Sequence, residues 1–264
     1  MTPSFELPLV IFTILSQQAI GLTLLYALRT AGRSARPEPS ARIQWLASAG
    51  ILALGLVVSL THLGHPEGAP RAVIHLSTAW LSREALLFGL LVALMAVTGF
   101  LGAVRALVIA AAAAGLVALF VQGMVYAPPS FPAVNNALPF AFFLVTAIIL
   151  GAGTASWFAP QDRQPFLRRI LVGALVAGLL LFLISPCIWL SGGAIMRLTA
   201  VAYFASTLYW AHIGVGLILP LLVVLAVRRI PVWLPVLLLA GALCGRLVFY
   251  VDTVHSAVNL GGVY

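Results

Sequence analysis

Long apolar runs separated by short polar breaks dominate the pattern of this chain. Each run has about twenty residues, the length that an α-helix needs to cross a bilayer. The breaks are rich in proline, glycine and arginine, as in "RTAGRSARPEPSAR", "PPSFPAVNNALP" and "PQDRQP". The predicted spans are residues 8–29, 43–63, 78–100, 103–126, 137–158, 167–190, 200–227 and 231–253. The pattern therefore predicts an all-α polytopic membrane protein, a bundle of eight transmembrane helices in one integral membrane domain over residues 1–264.

Composition excludes a soluble helical domain. The chain is 62% hydrophobic and 8% charged, whereas soluble domains carry about 25% charged residues. We expect no attached soluble domain, because no loop is long enough to fold alone. The first apolar run is interpreted as a membrane span rather than a signal peptide, because no basic segment precedes it.

The basic residues predict the orientation of the bundle. All fourteen are arginines, and ten of them lie in the loops after the first, third, fifth and seventh spans. Cytoplasmic loops carry an excess of basic residues, so both termini are expected outside the cytoplasm. The net charge of +8 follows from fourteen arginines against six acids. Because no basic tract contains interleaved aromatic residues, nucleic-acid binding is not indicated.

Histidines and acids, rare elsewhere, cluster at the junction of the second and third spans. Of five histidines and six acids in the chain, His62, His65, His75, Glu67 and Glu84 all fall between positions 62 and 84. They lie in and around the stretches "SLTHLGHPEG" and "LSREALLFG". One interpretation of His62 is purely structural, as a helix-end residue that interacts favourably with the helix dipole. The alternative is a functional site.

The position of Glu84 in the third span separates two interpretations. If Ser82 is the N-cap, Glu84 is a first-turn acid in a favourable dipole position. If Ser77 or Thr78 is the cap, Glu84 lies about two turns inside the span. The aromatic belt residue Trp80 favours the second interpretation. An acid at that depth is costly and is a functional candidate.

Further polar residues are predicted at the same outer face. Tyr126 ends the fourth span, and Arg246 lies inside the eighth, where a cation needs a partner or a water-filled cavity. Asn135 and Asn136 open the fifth span, and Arg197 lies in the loop after the sixth. Any one of them is explained by a cap or a structural hydrogen bond. Together they predict a pocket that opens at the outer interface.

Three alternative functions follow from these patterns. A haem b-bearing cytochrome anchor needs two axial histidines at matching depth, and only His212 lies well inside a span. A secondary transporter favours polar residues at the bilayer midplane and broken helices in repeated halves. A purely structural anchor would use the outer polar residues as docking contacts. Cys187 and Cys244 have no ligand spacing, so we expect no metal and no iron–sulfur site in this chain.

The chain resembles the membrane anchor subunits of dimethyl sulfoxide reductases, the DmsC family. The resemblance rests on "THLGHP" followed by "LSREALLFG", on "MVYAPPSFPAVNNALPFAFFLVTAIILG" and on "GRLVFY", in the same order and spacing over essentially the whole chain. It implies eight helices, a location in the bacterial cytoplasmic membrane, and no haem. The implied partners are a molybdopterin catalytic subunit and an iron–sulfur subunit with four 4Fe–4S clusters.

The resemblance also implies a menaquinol or ubiquinol site near the outer face. The functional histidine of the family maps onto His62 and its functional glutamate onto Glu84. His65, Arg71, Tyr126 and Arg246 are expected to line or shape the pocket. A neutral histidine can accept a proton near physiological pH, and a partly desolvated carboxylate can relay a second one. The electron acceptor is then expected in the iron–sulfur partner, docked on the outer loops.

Overall fold

The apolar runs fold into helices in a computed structural model that describes residues 6–31, 38–63, 65, 68, 71 and 74–257. Eight helices in this described part are long and apolar enough to cross a membrane, which confirms the prediction of eight spans. The spanning helices are α1 (Leu7–Thr30), α2 (Ala41–Leu60), α3 (Trp80–Phe100), α4 (Arg105–Val125), α5 (Leu138–Ala155), α6 (Gln164–Leu190), α8 (Thr207–Ala226) and α9 (Leu234–Val251). A shorter helix, α7 (Ala194–Ala205), precedes α8.

Helix α1 is the centre of the bundle. It packs against α2, α4, α5 and α9, and 78% of its most apolar stretch of 18 residues is buried. Small residues allow its backbone to approach α5 closely. A Cβ atom on Gly21 would lie 1.9 Å from the carbonyl oxygen of Ala147, and one on Gly151 would lie 2.4 Å from the carbonyl carbon of Gly21. Contacts between small residues of this kind replace the hydrophobic effect as the cause of helix association in lipid.

The predicted seventh span, 200–227, begins too early. Helix α7 ends at Ala205, Ser206 is extended with φ −78° and ψ 123°, and α8 begins at Thr207. The apolar pattern continues through this break because α7 is itself apolar. Within α8, residues His212–Ile218 form a π-helical segment, and Pro220 follows it. Proline lacks the backbone N–H that would continue the α-helical pattern. A departure from the regular hydrogen bonds of an α-helix is therefore expected beside it.

The two ends of the bundle differ in their polar contacts. We call the end where α1 begins and α9 ends the terminal face. At the opposite end, the buried Arg29 donates to Glu38 at 2.7 Å and to Gln44 at 2.5 Å. This ion pair neutralises one arginine of the arginine-rich face. The remaining buried charges lie nearer the terminal face.

Candidate functional site

Glu84 is a buried acid in the second turn of α3. The helix begins at Trp80 with Ala79 as N-cap, rather than at any of the Ser and Thr residues considered above. The helix dipole acts most strongly in the first turn, and Glu84 lies beyond that turn. Its side chain is 3% exposed. A carboxyl group buried to this extent needs polar partners or a function that accounts for it.

The carboxyl group of Glu84 is surrounded by polar groups but is incompletely satisfied. Gln122 on α4 interacts with it, and the hydroxyl groups of Tyr126 and Tyr250 lie close enough to interact electrostatically. Its Oε1 atom is buried and has no hydrogen-bond partner in the described part of the chain. A buried acceptor without a donor costs about 1–3 kcal/mol. The site therefore has capacity for one more donor, or for a proton on the carboxyl group itself.

Arg246 brings a buried positive charge to the same cluster. It lies in α9, is 4% exposed, and donates from one terminal nitrogen to Oε1 of Gln17 at 2.6 Å. Its guanidinium carbon lies 4.2 Å from the ring centroid of Phe143, a cation–π contact. Among the described residues no salt bridge joins Arg246 to Glu84. Each charged group is therefore held by neutral polar and aromatic neighbours.

Two glutamines connect the acid with the arginine. The side-chain amide of Gln17 lies 3.3 Å from Oε1 of Gln122, and the amide of Gln122 donates to the Ser16 hydroxyl at 3.0 Å. A continuous polar path thus runs from Glu84 through Gln122 and Gln17 to Arg246. It joins α3, α4, α1 and α9 inside the bundle. Interhelical hydrogen bonds of this kind fix the relative positions of membrane helices.

A cavity of about 320 Å³ lies beside this cluster at the terminal face. It is enclosed by the start of α1, the end of α4, the connection to α5 and the end of α9. Its described lining consists of Glu6, Val10, Val125, Tyr126, Pro128, Phe131, Val134, Leu247, Phe249, Tyr250, Val251 and Thr253. A mostly apolar cavity with a few polar groups at one wall is the usual form of a small-molecule site.

Two tyrosines form the wall between the cavity and Glu84. The rings of Tyr126 and Tyr250 pack edge to face with centroids 5.7 Å apart. The Tyr250 hydroxyl lies near those of Thr13 and Tyr126, yet it is buried and makes no well-formed hydrogen bond to any described residue. A phenol can both donate and accept a hydrogen bond. The wall can therefore exchange hydrogen bonds with a ligand in the cavity on one side and with Glu84 on the other.

Asp252 adds a second acid near the rim, just after the end of α9. Burial raises the pKa of its carboxyl group above the usual value, and the Ser206 hydroxyl opposes this shift through a hydrogen bond to the charged form. The next residue, Thr253, lines the cavity and shares a hydrogen bond of 3.1 Å with Tyr203. Because its pKa is raised, Asp252 binds a proton at higher pH than an exposed aspartate does.

Comparison with known proteins agrees with this architecture. The family description "DMSO reductase anchor subunit (DmsC)" matches residues 1–251. The chain belongs to the DMSO reductase anchor subunit family. The C subunit of the anaerobic dimethyl sulfoxide reductase of Haemophilus influenzae is 30% identical over 167 residues. That similarity covers 59% of this protein and 59% of the relative's length. The resemblance stated from the sequence is therefore confirmed at the level of the family.

Of the site residues predicted from the sequence, the structure brings Glu84, Tyr126 and Arg246 together. His62 and Arg71 lie outside the described lining of the cavity and are exposed. The Nδ1 atom of His62 donates to the carbonyl oxygen of Ser59, one turn earlier in the chain. No described hydrogen bond, ion pair or ring contact joins His62 to Glu84.

The remaining residues of the junction lie on the surface of the terminal face or outside the described part. His65 is exposed and is absent from the described lining of the cavity. Arg83 donates to the carbonyl groups of Leu76 and Ser77 and stacks 4.3 Å from the centroid of Trp80. It therefore does not orient Glu84. Glu67, which belongs to the same sequence cluster, lies outside the described residues.

The sequence patterns missed the two glutamines and Tyr250. The signal was present, because "SQQAI" and "FVQGM" place amide side chains inside apolar spans. Amides within spans are costly unless they bond across helices. Tyr250 was hidden among other aromatic residues near the end of α9, where tyrosine is common for reasons unrelated to a site.

His212 is buried in the π-helical segment of α8. Its Nδ1 atom donates to the carbonyl oxygen of Gly241 at 2.7 Å, and its ring packs edge to face on Phe182. Nowhere in the described residues do three histidine, cysteine or acidic side chains come together in a way that could hold a metal ion. His212 is thus engaged in a contact between helices, as expected for a polar residue inside a span.

Proposed function

We propose that this chain is the quinol-binding anchor subunit of a DMSO-reductase-like molybdoenzyme complex in the bacterial cytoplasmic membrane. In this role it oxidises menaquinol or ubiquinol and passes the electrons to an iron–sulfur partner subunit. Family membership supports the anchor role. The observation that carries the quinol site is the cavity walled by Tyr126 and Tyr250, with the buried Glu84 behind them.

The cavity suits a quinol ring in both shape and chemistry. Its apolar lining accepts the ring and the first part of the tail, and the two tyrosine hydroxyls offer hydrogen bonds to a quinol hydroxyl. Oxidation of one quinol releases two electrons and two protons. Glu84, with an unpartnered oxygen, accepts a proton that passes through the tyrosine wall. Arg246, beside Tyr126 and Tyr250, stabilises negative charge that develops on the quinol oxygen.

Release of the protons requires groups at the surface of the terminal face. His62 is exposed there, and its Nδ1 bond to Ser59 leaves Nε2 as the proton-accepting nitrogen. We assign His62 to quinol contact at the mouth of the site or to proton release from it. His65 and Arg71 are exposed near it in the same junction and shape its charge.

The electrons must leave through a partner, because the proposed catalytic groups of this chain carry protons only. We expect the iron–sulfur subunit on the terminal face, over the loops that follow α2, α4 and α6. The molybdopterin subunit then binds to the iron–sulfur subunit. This arrangement brings the nearest cluster close to the cavity and leaves reduction of the terminal substrate to the catalytic subunit.

The orientation of the bundle gives a first test. The terminal face should be periplasmic, because ten of fourteen arginines belong to the opposite side. A reporter enzyme that is active only outside the cytoplasm should be active after Tyr264 and inactive near Arg36. The reverse activities would place the cavity on the cytoplasmic side and would refute the outer quinol site.

Purification of the complex gives a second test. We expect the chain to co-purify with an iron–sulfur subunit and a molybdopterin subunit, and menaquinol to reduce the clusters of the intact complex. The chain purified alone should have no haem absorption in an alkaline-pyridine spectrum. One haem b per chain would instead identify a cytochrome-type anchor and make His212 its ligand. A chain without partners that exchanges a solute across vesicles would favour a transporter.

A further inference from the structure

A second, much smaller cavity lies deeper in the bundle, between α5, α6, α8 and α9. It has a volume of about 10 Å³, and the described residues around it include Thr146, His212, Gly245 and Arg246. A space of roughly 10–15 Å³ on this measure holds one water molecule, provided that it offers two to four polar partners. The polar atoms around this cavity therefore decide whether it can hold a water molecule.

Two buried polar atoms that have no partner among the described residues belong to residues of this one cavity. They are Nε of Arg246 and Nε2 of His212, whose residues are 4% and 6% exposed. The Nε atom of arginine always carries a hydrogen and can only donate. His212 donates through Nδ1 to the carbonyl of Gly241, so in the neutral ring Nε2 carries the lone pair and can only accept. One unpartnered donor and one unpartnered acceptor thus share the site.

Thr146 supplies a third group. Its hydroxyl donates to the carbonyl oxygen of Phe142 at 2.8 Å, so its own oxygen remains available as an acceptor. We propose that this cavity binds a single water molecule, which accepts a hydrogen bond from Nε of Arg246 and donates to Nε2 of His212 and to the Thr146 hydroxyl. Three hydrogen bonds are the usual number for a buried water.

The same groups argue against an ion in the cavity. A cation would be repelled by the guanidinium group of Arg246. An anion such as chloride would face the lone pairs of His212 and Thr146 and would need more space than a water molecule. Water alone can accept from one neighbour and donate to the two others.

The bound water positions the guanidinium group of Arg246. It fixes the Nε edge, while Gln17 holds a terminal nitrogen and Phe143 packs on the face. It also ties α9 to α5 and to the π-helical segment of α8. Gly245 of α9 leaves room for the imidazole ring of His212. A Cβ atom on Gly245 would lie 2.7 Å from Nδ1 of His212. The water is expected whether or not the chain oxidises quinol.

The direct test is a structure of the intact complex at a resolution that shows buried water molecules. We expect one density peak within about 2.7–3.2 Å of Nε of Arg246, Nε2 of His212 and the Thr146 oxygen. An absent peak, in a map that shows other buried waters, would overturn the proposal. So would a direct hydrogen bond between Arg246 and His212, or density and anomalous signal of a heavier ion.

A stability cycle gives an independent test. Thr146→Val removes an acceptor of the water and keeps the shape of the side chain. Thr98→Val is the matched control. Thr98 also donates to the carbonyl four residues earlier, at 2.7 Å, and it lies on α3, away from this cavity. The apparent unfolding temperature of the complex should fall about 2–4 °C further for Thr146→Val than for Thr98→Val. In a His212→Leu background, the decrease in unfolding temperature caused by Thr146→Val should shrink to that caused by Thr98→Val, because the water has already lost a partner. Equal losses in the two threonine variants, or additive losses with His212→Leu, would contradict a shared water.

Discussion

Replacing Glu84 by glutamine is expected to lower quinol-driven turnover of the complex by about 10²-fold, the usual effect of losing a general base. Glutamine keeps the shape of the side chain and one hydrogen-bonding oxygen, but it cannot accept a proton. Because Glu84 interacts with Gln122 and lies near Tyr126 and Tyr250, the polar path itself should persist. The measurement is steady-state reduction of the terminal substrate with menaquinol as donor.

An artificial donor that reduces the iron–sulfur clusters directly is the control for Glu84→Gln. Its turnover should stay near normal, because neither the clusters nor the molybdopterin depends on Glu84. His62→Ala is the comparison variant, since His62 lies at the surface rather than in the cluster. Near-normal quinol turnover in both variants would leave Glu84 as a structural hydrogen-bonding residue and His62 as a helix-end residue worth roughly 0.3–1 kcal/mol. A loss with both donors would indicate failed assembly instead.

Filling the larger cavity should weaken quinol binding by about tenfold or more, because a loss of about 1.4 kcal/mol of binding free energy lowers affinity by that factor. Val251 lies at the end of α9, lines the cavity and is 38% exposed, so a larger side chain can be accommodated during folding. Val251→Trp places an indole ring where we propose the quinol ring binds. The expected result is a raised KM for menaquinol with assembly intact.

Val236→Trp is the matched control for this variant. Val236 lies in the same helix, fifteen residues earlier and about 22 Å away at 1.5 Å per residue, and it is 62% exposed. The same indole ring there faces the outside of the bundle and should leave the KM unchanged. If both variants keep the normal KM, the quinol site is elsewhere on the terminal face, for example at the junction that carries His62.

The buried cluster has a physical cost that argues for a function. Glu84, Arg246, Gln17 and Gln122 are all at most 4% exposed. Yet an oxygen of Glu84 and a nitrogen of Arg246 have no partner in the part of the chain that the structure describes. Each such group costs more in a membrane bundle than an apolar side chain at the same place. An anchor that only held a partner would be more stable with apolar residues here. This cost supports our proposal of proton chemistry at the adjacent cavity.

The position of His62 shows that residues close in sequence need not be close in the fold. The "THLGHP" and "LSREALLFG" stretches lie close together in the sequence, which makes His62 and Glu84 look like partners. In the fold, Glu84 points into the bundle towards Gln122 on α4, whereas His62 follows the end of α2 and bonds to Ser59. The pairing of side chains depends on which helix face each occupies, and the end of α2 contributes none of the described residues around the larger cavity.

The sequence by itself determined the membrane class and the eight spans, because apolar runs of this length form helices in a bilayer. Its short motifs, by resemblance, indicated the family. It also indicated that Glu84 and Arg246 are unusual, since charge inside an apolar run is costly wherever the helices pack. Only the tertiary structure decided the break at Ser206, the π-helical segment at His212, and the path from Glu84 through Gln122 and Gln17 to Arg246. These features depend on the relative rotation and depth of α1, α3, α4 and α9. That arrangement comes from side-chain packing between distant parts of the chain, which the local pattern of apolar residues does not record.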